Sequence, residues 1–173
     1  SPDFDGSILD FGCGLGDAIP IYKEFYPKAK LYGIDISSVG IEKCKESYGC
    51  LADFTAGTEK EMQDADIVIA SNVFEHLTND RKVAKRILQK TKKLYIVVPY
   101  KENPLMDEHV NSYDEFYFSE LNVLWFKIFF AKGWTESGFR LLKLGVRNLI
   151  RIFTGKKIQP RSRQIMFCLA GDA

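Results

Sequence analysis

The sequence predicts a doubly wound α/β domain: a seven-stranded, mostly parallel sheet with helices on both faces. Three observations carry that expectation. Short β-rich runs alternate with helical patterns through the first half of the chain. The first run turns into its helix through three alternating glycines, Gly12, Gly14 and Gly16. The second run ends in a carboxylate, Asp35. Parallel strands joined in this way need right-handed crossovers, which place helices on both sheet faces.

Candidate strands occupy residues 7–11, 30–35, 49–54, 66–71, 93–98, 139–145 and 164–170. Helical patterns fall at 17–25, at 38–47 with Ser37 or Ser38 as N-cap, and at 58–63. A further helix is expected over 80–91, where Val83, Ile87 and Leu88 share one face and the basic residues the other. After strand five the rhythm changes. Residues 100–114 form a polar, proline-containing loop, and a basic stretch separates the last two strands. Ligands of such sheets gather at the C-terminal strand ends, so the candidate site lies there.

A length of 173 residues suits one domain, and 46% hydrophobic with 27% charged residues excludes a disordered or fibrous chain. The most apolar stretch, 123–131, is too short to span a bilayer and carries Lys127. Four cysteines, Cys13, Cys44, Cys50 and Cys168, form no Cys-x-x-Cys pair, so a reducing cytoplasm is expected rather than a disulfide framework or zinc site. The net charge of +1 hides an asymmetry. Residues 1–136 hold 16 Lys+Arg against 22 Asp+Glu, and residues 137–173 hold 8 against 1.

The run from Ile8 to Asp17 is the sharpest signal. Glycines let the chain take positive φ and approach a bound group, and the next helix offers free N–H groups. A dinucleotide fingerprint, G-x-G-x-x-G, would need glycine where Asp17 stands. Asp17 and Asp10 would repel a pyrophosphate but suit a ligand carrying an ammonium and a sulfonium, which points to S-adenosylmethionine. Asp35, nineteen residues after Gly16, can accept from both hydroxyls of a ribose. Taken singly, it is equally a polar residue ending a strand.

These residues resemble the class I S-adenosylmethionine-dependent methyltransferases, of the Rossmann-like methyltransferase superfamily. DFGCGLG at 10–16 looks like the family's first motif, GIDIS at 33–37 its second, LADF at 51–54 the third-strand acid, and DADIVIASNVFEHL at 64–77 the fourth-strand segment. The resemblance implies a strand order 3-2-1-4-5-7-6 with strand seven antiparallel. It implies that Gly12, Cys13, Gly14 and Gly16 line the methionine part and that Asp10 helps hold its ammonium. Asp35 would take the ribose hydroxyls, Ile36 the adenine face and Asp53 the adenine amine, with Ser71 and Asn72 closing over the methionine. Family members carry helices ahead of strand one that roof the acceptor; with six residues before Ser7, that lid is expected to be missing.

In-line methyl transfer needs chiefly positioning, and a hydroxyl acceptor also benefits from a base. The two histidines, His76 and His109, each follow a glutamate, Glu75 and Glu108, and each follows a strand end facing the cofactor. His109, in the loop after strand five, is the expected base. Glu75 and His76 are either further catalytic groups or orient the segment that follows them. The Glu-His pairs also resemble methyltransferases of small-RNA 3′ ends, in which Glu-x-x-Glu-His and a later His hold a metal; Asn72 replaces the first Glu, and no metal is expected.

The basic C-terminal segment is read as a solvated face covering the sheet, or as a short amphipathic helix beginning at Val146 and followed by the run to Lys157. The second form could meet an anionic membrane or a phosphorylated or lipid-linked acceptor. Aromatic residues such as Tyr117, Phe118 and Trp125 read as core, so nucleic acid is not an expected partner. The expected activity is O-methylation of a small acceptor; the alternatives are a non-catalytic cofactor-binding module, a metal-assisted RNA 3′-end methyltransferase and a nicotinamide oxidoreductase.

Overall fold

In a computed structural model that describes residues 2–130 and 163–172, the side chains of the central strands alternate between two buried sheet faces. In β1 (Ser7–Phe11) Ile8 enters one apolar core, while Leu9 and Phe11 enter the other on the opposite sheet face. The same division holds in β2 (Lys30–Asp35), where Leu31 and Ile34 go to opposite faces. Crossovers α1 (Ile19–Phe25) and α2 (Ser38–Tyr48) bury Ile19, Ile41 and Cys44 on the Ile8 face. β3 (Asp53–Ala56) and β4 (Ala65–Ser71) follow, then a 3-10 turn at Phe74–His76. α3 (Asp80–Leu88) closes the Leu9 face with Val83, Ala84, Ile87 and Leu88, and leads into β5 (Thr91–Pro99).

β6 (Val123–Phe130) and β7 (Arg163–Ala170) complete a seven-stranded sheet ordered β3-β2-β1-β4-β5-β7-β6. β1 to β5 pair in parallel, and β7 runs antiparallel to both β5 and β6. This is the order that the resemblance implies. Among the described residues no helix is long and apolar enough to cross a membrane.

Local chemistry fixes the ends of the elements. Pro20 sits in the first turn of α1, where a missing N–H costs nothing, and the Ser37 hydroxyl accepts from Gly40 N–H at 3.0 Å to cap α2. Below the sheet, Asp66 accepts from Ser7 N–H at 2.8 Å and from the Lys92 ammonium at 2.7 Å, tying β1, β4 and β5 at their N-terminal ends.

Four expectations need correction. The third strand is Asp53–Ala56 rather than 49–54, because α2 unwinds slowly: the amides of Leu51 and Ala52 still donate to Tyr48 O at 2.8 and 3.1 Å. Residues 58–63 form turns instead of a helix, with the Thr58 amide and hydroxyl both donating to Glu61 Oε2 at 2.8 Å. Such a short segment cannot repay helix nucleation. α3 ends at Leu88, and Thr91 already pairs with Ala65 in the sheet. The strand before β7, at the edge of the sheet, is Val123–Phe130, a run read only as apolar core; the strand expected at 139–145 and the helix expected from Val146 lie outside the described residues.

Candidate active site

The sheet order reverses between β1 and β4, and at such a switch point the connections leave a crevice above the strand ends. Here it is a cavity of about 600 Å3, whose walls include Gly12, Asp35, Ile36, Asn72 and His76. The glycine corner meets it at Gly12. Gly12, Gly14 and Gly16 have φ of 75°, 56° and 80°, a region that side-chain-bearing residues avoid. The amides of Gly12 and Cys13 both donate to Ile34 O, at 2.8 and 3.1 Å, so the turn is bolted to β2. A Cβ on Gly12 would overlap the Val73 side chain, whereas one on Gly14 would meet nothing within 4 Å.

Asp35 closes the corner from the side. Its Oδ2 accepts from Gly14 N–H and its Oδ1 from Ser37 N–H, each at 2.9 Å. Each carboxylate oxygen keeps a further lone pair for a ligand hydroxyl. Beside it Ile36 is 82% exposed and lines the cavity, an apolar surface held out over the cleft. Asn72 takes a left-handed φ of 55°, and its Oδ1 accepts from Gln164 Nε2 of β7 at 2.8 Å. Its Nδ2 approaches the Ser71 hydroxyl at 3.4 Å.

Electrostatics separate this cleft from a phosphate site. Among the described lining residues there is no Lys or Arg, while Asp35, Glu59 and Glu108 bring carboxylates. Beneath the corner, Asp10 is buried, and its pKa is pushed up to about 7 by desolvation first and by the nearby Asp35 charge second. Burial also raises the Cys13 thiol and the Tyr22 hydroxyl, with the Asp10 charge adding to both. An ammonium next to Asp10 would relieve this strain. The donor set therefore fits a cofactor with a ribose diol, an apolar base and a cationic amino-acid tail.

A second cluster stands at the rim. The 3-10 turn carries Glu75, which is buried, and His76, whose Nδ1 lies 3.1 Å from Glu108 O. The His109 Nδ1 lies 2.6 Å from Glu102 Oε2, and the two imidazoles meet edge to face with centroids 4.8 Å apart. Burial raises the pKa of the Glu75 carboxyl, and its Oε2 is buried without a hydrogen-bond partner among the described residues. The loop is stapled to the turn by Val110 N–H to Glu75 O and by Asn111 Nδ2 to Leu77 O, both at 2.8 Å. Further along, Tyr113 donates to the buried Asp80 Oδ2 at 2.9 Å.

The structure thus gathers Gly12, Asp35, Ile36, Asn72 and His76 on one cavity, with Asp10, Cys13, Gly14, Gly16 and Ser71 in or next to the strand ends and turns that build it. Glu75 and His109 stand together at the rim. Asp53 is placed elsewhere. It begins β3 opposite Tyr32 and lines a separate small crevice, because the strand starts later than expected; Gly57, Thr58 and Glu59 line the cleft instead. Sequence reasoning also missed Val73, Gln164 and Glu102. Glu102 was visible only as one acid in a polar loop.

A doubly wound sheet of this order, with a glycine corner after β1 and an acid at the end of β2, defines the Rossmann-like methyltransferase class. The methyltransferase domain family model matches residues 9–94. The chain is 32% identical over 87 residues to malonyl-[acyl-carrier protein] O-methyltransferase of Anoxybacillus flavithermus, a match covering 47% of this chain and 33% of that protein. It is 43% identical over 47 residues to ribosomal RNA small subunit methyltransferase C of Photobacterium profundum, covering 27% of this chain and 14% of that one. The chain therefore spans about a third or less of these curated relatives. Coclaurine N-methyltransferase, solved with N-methylheliamine and S-adenosylhomocysteine, shares the fold with a TM-score of 0.67 at 14% identity, over 96% of this chain and 67% of that one. The chain belongs to the class I S-adenosylmethionine-dependent methyltransferases.

Proposed function

We propose that this chain is one methyltransferase domain, acting in the cytoplasm, that moves the methyl group of S-adenosylmethionine to a hydroxyl oxygen of a small acceptor. The observation that carries the reading is the pairing of a carboxylate-lined cleft, with no lysine or arginine among its described lining residues, with two imidazoles at its rim. Asp35 accepts from the ribose hydroxyls, Ile36 packs on the adenine, and Thr58 and Glu59 meet its edge. Asp10, beneath the glycine corner, favours the ammonium, while Ser71 and Asn72 cover the methionine chain. The sulfonium supplies an electrophilic methyl and a neutral thioether leaving group.

The protein's share of the chemistry is alignment and proton handling. Glu102, on the His109 Nδ1, leaves Nε2 free to accept the acceptor proton as the new O–C bond forms and the S–C bond breaks. The match to a malonyl-[acyl-carrier protein] O-methyltransferase supports an oxygen acceptor, with phosphorylated and lipid-linked ones also in range.

The test is S-adenosylhomocysteine release from methyl-labelled cofactor over a panel of hydroxyl acceptors. Turnover that falls about 10²- to 10⁴-fold in His109→Ala, with cofactor affinity retained, is expected. Full turnover in that variant at saturating acceptor would remove His109 from the chemistry. Tight cofactor binding with no turnover on any acceptor would instead favour a non-catalytic binding module.

A further inference from the structure

The described lining of the cofactor cleft holds carboxylates and no Lys or Arg. Where β5 ends and β7 begins, the sign reverses, and two cations meet on one aromatic ring. The Arg163 guanidinium lies 4.8 Å and the Lys101 ammonium 5.1 Å from the centroid of Tyr100. β7 runs antiparallel to β5, and Tyr100 N–H donates to Arg163 O at 2.9 Å, which holds the three residues together at the cleft end of the sheet.

The two charges are only half compensated. Glu115 Oε2 lies 3.0 Å from Lys101 Nζ, and its Oε1 accepts from the Tyr100 hydroxyl at 2.6 Å. Arg163 is exposed and pairs with no carboxylate among the described residues. Stacking on a ring occupies the face of a guanidinium and leaves its N–H fork, which takes a carboxylate or phosphate in the plane. Lys101 has a left-handed φ of 47°, where glycine would sit without strain, so the position keeps a side chain that its backbone disfavours.

Both cations neighbour the reaction site in the chain. Next to Lys101, Glu102 holds His109 at 2.6 Å; next to Arg163, Gln164 holds Asn72 at 2.8 Å. Lys101 N–H also donates to Tyr113 O at 2.8 Å, so the loop that carries His109 starts and ends beside this ring.

We infer that Arg163, with Lys101 as a second charge, binds an anionic group of the methyl acceptor, a carboxylate or a phosphate monoester, while the acceptor hydroxyl stands at His109. This rests on the methyltransferase reading and narrows its acceptor to small hydroxyl compounds that carry a negative charge. The acidic cleft then favours the cationic cofactor and the basic ledge the anionic acceptor, so neither ligand suits the other's place.

The chain is titrated with inorganic phosphate and with acetate at constant ionic strength, following the backbone amide resonances of Tyr100, Lys101 and Glu102. A saturable shift is expected, weakened at least about 10-fold in Arg163→Gln and by less in Lys101→Gln. Acetate binding as well as phosphate assigns a carboxylate acceptor, and tighter phosphate binding assigns a phosphate monoester. In turnover, hydroxyl acceptors bearing either group should show a KM at least about 10-fold below that of their neutral counterparts, and Arg163→Gln should erase that advantage with kcat held. S-adenosylhomocysteine affinity, unchanged in both variants, certifies the fold. No saturable shift with either anion, equal affinity in Arg163→Gln, or a preference for neutral acceptors overturns the inference. The anion titration needs no cofactor, so a chain that binds phosphate at Arg163 and ignores S-adenosylhomocysteine contradicts the methyltransferase reading, whereas the reverse contradicts the anion site alone.

Discussion

Asp35 Oδ2 accepts from the backbone N–H of Gly14 at 2.9 Å, so the acid that ends β2 also sets the shape of the corner that follows β1. One side chain thereby serves both the loop and the ribose diol assigned to it. Charge-assisted hydrogen bonds contribute about 1.5–3 kcal/mol each. Asp35→Ala should weaken S-adenosylhomocysteine binding by at least about 10-fold, and Asp35→Asn by less, as measured by calorimetry. Equal affinity in all three proteins would separate Asp35 from the ligand.

The glycines of the corner should differ in what they tolerate. Gly12→Ala adds left-handed strain and drives a methyl into Val73, whereas Gly14→Ala adds the strain alone, about 1–2 kcal/mol. Urea denaturation should show Gly12→Ala to be the more destabilised. Val73→Ala in the Gly12→Ala background should recover part of the loss, and no recovery would place the cost elsewhere.

Asp10 predicts how stability varies with pH. Its folded pKa, pushed up to about 7 from 3.8, means that the folded state holds its proton where the unfolded chain has released it. Stability of the ligand-free protein should therefore fall as pH rises from about 4 to about 7 and level off above, by a few kcal/mol in order of magnitude. Asp10→Asn should flatten that slope. An ammonium favours the ionised carboxylate, so S-adenosylhomocysteine should bind more tightly as pH passes 7 in the parent and less steeply in Asp10→Asn. A parent slope of opposite sign would contradict the assignment.

Tyr113 anchors the loop that carries His109, through its hydroxyl on buried Asp80. Tyr113→Phe leaves that carboxylate short of a donor and should cost about 1–3 kcal/mol in chemical denaturation. Turnover should fall more than cofactor affinity, because the loop holds the rim rather than the glycine corner.

The central strands were legible because their two buried faces give short apolar runs bounded by turns, as at Ser7–Phe11 and Ala65–Ser71. β3 was misread because Leu51 and Ala52 look like strand residues while their amides finish the α2 turn. That slip of a few residues carried Asp53 away from the cleft. β6 was hidden for the opposite reason: an apolar run broken only by Lys127 has no alternation to read, and its antiparallel ladder with β7, as at Phe126 with Phe167, makes it a strand. The two Glu-His pairs were plain in the sequence. Their meeting at 4.8 Å was not, since it depends on a loop folding back across the 3-10 turn. Gln164 reaches Asn72 from 92 residues away, a distance no local pattern encodes.

The most direct test of the account is a calorimetric titration of the folded chain with S-adenosylhomocysteine, run beside NAD⁺ at the same concentrations. One saturable site for the thioether nucleoside, weakened in Asp35→Ala, and none for the dinucleotide is the predicted result. A natively folded sample that takes up NAD⁺ and gives no heat with S-adenosylhomocysteine would contradict it.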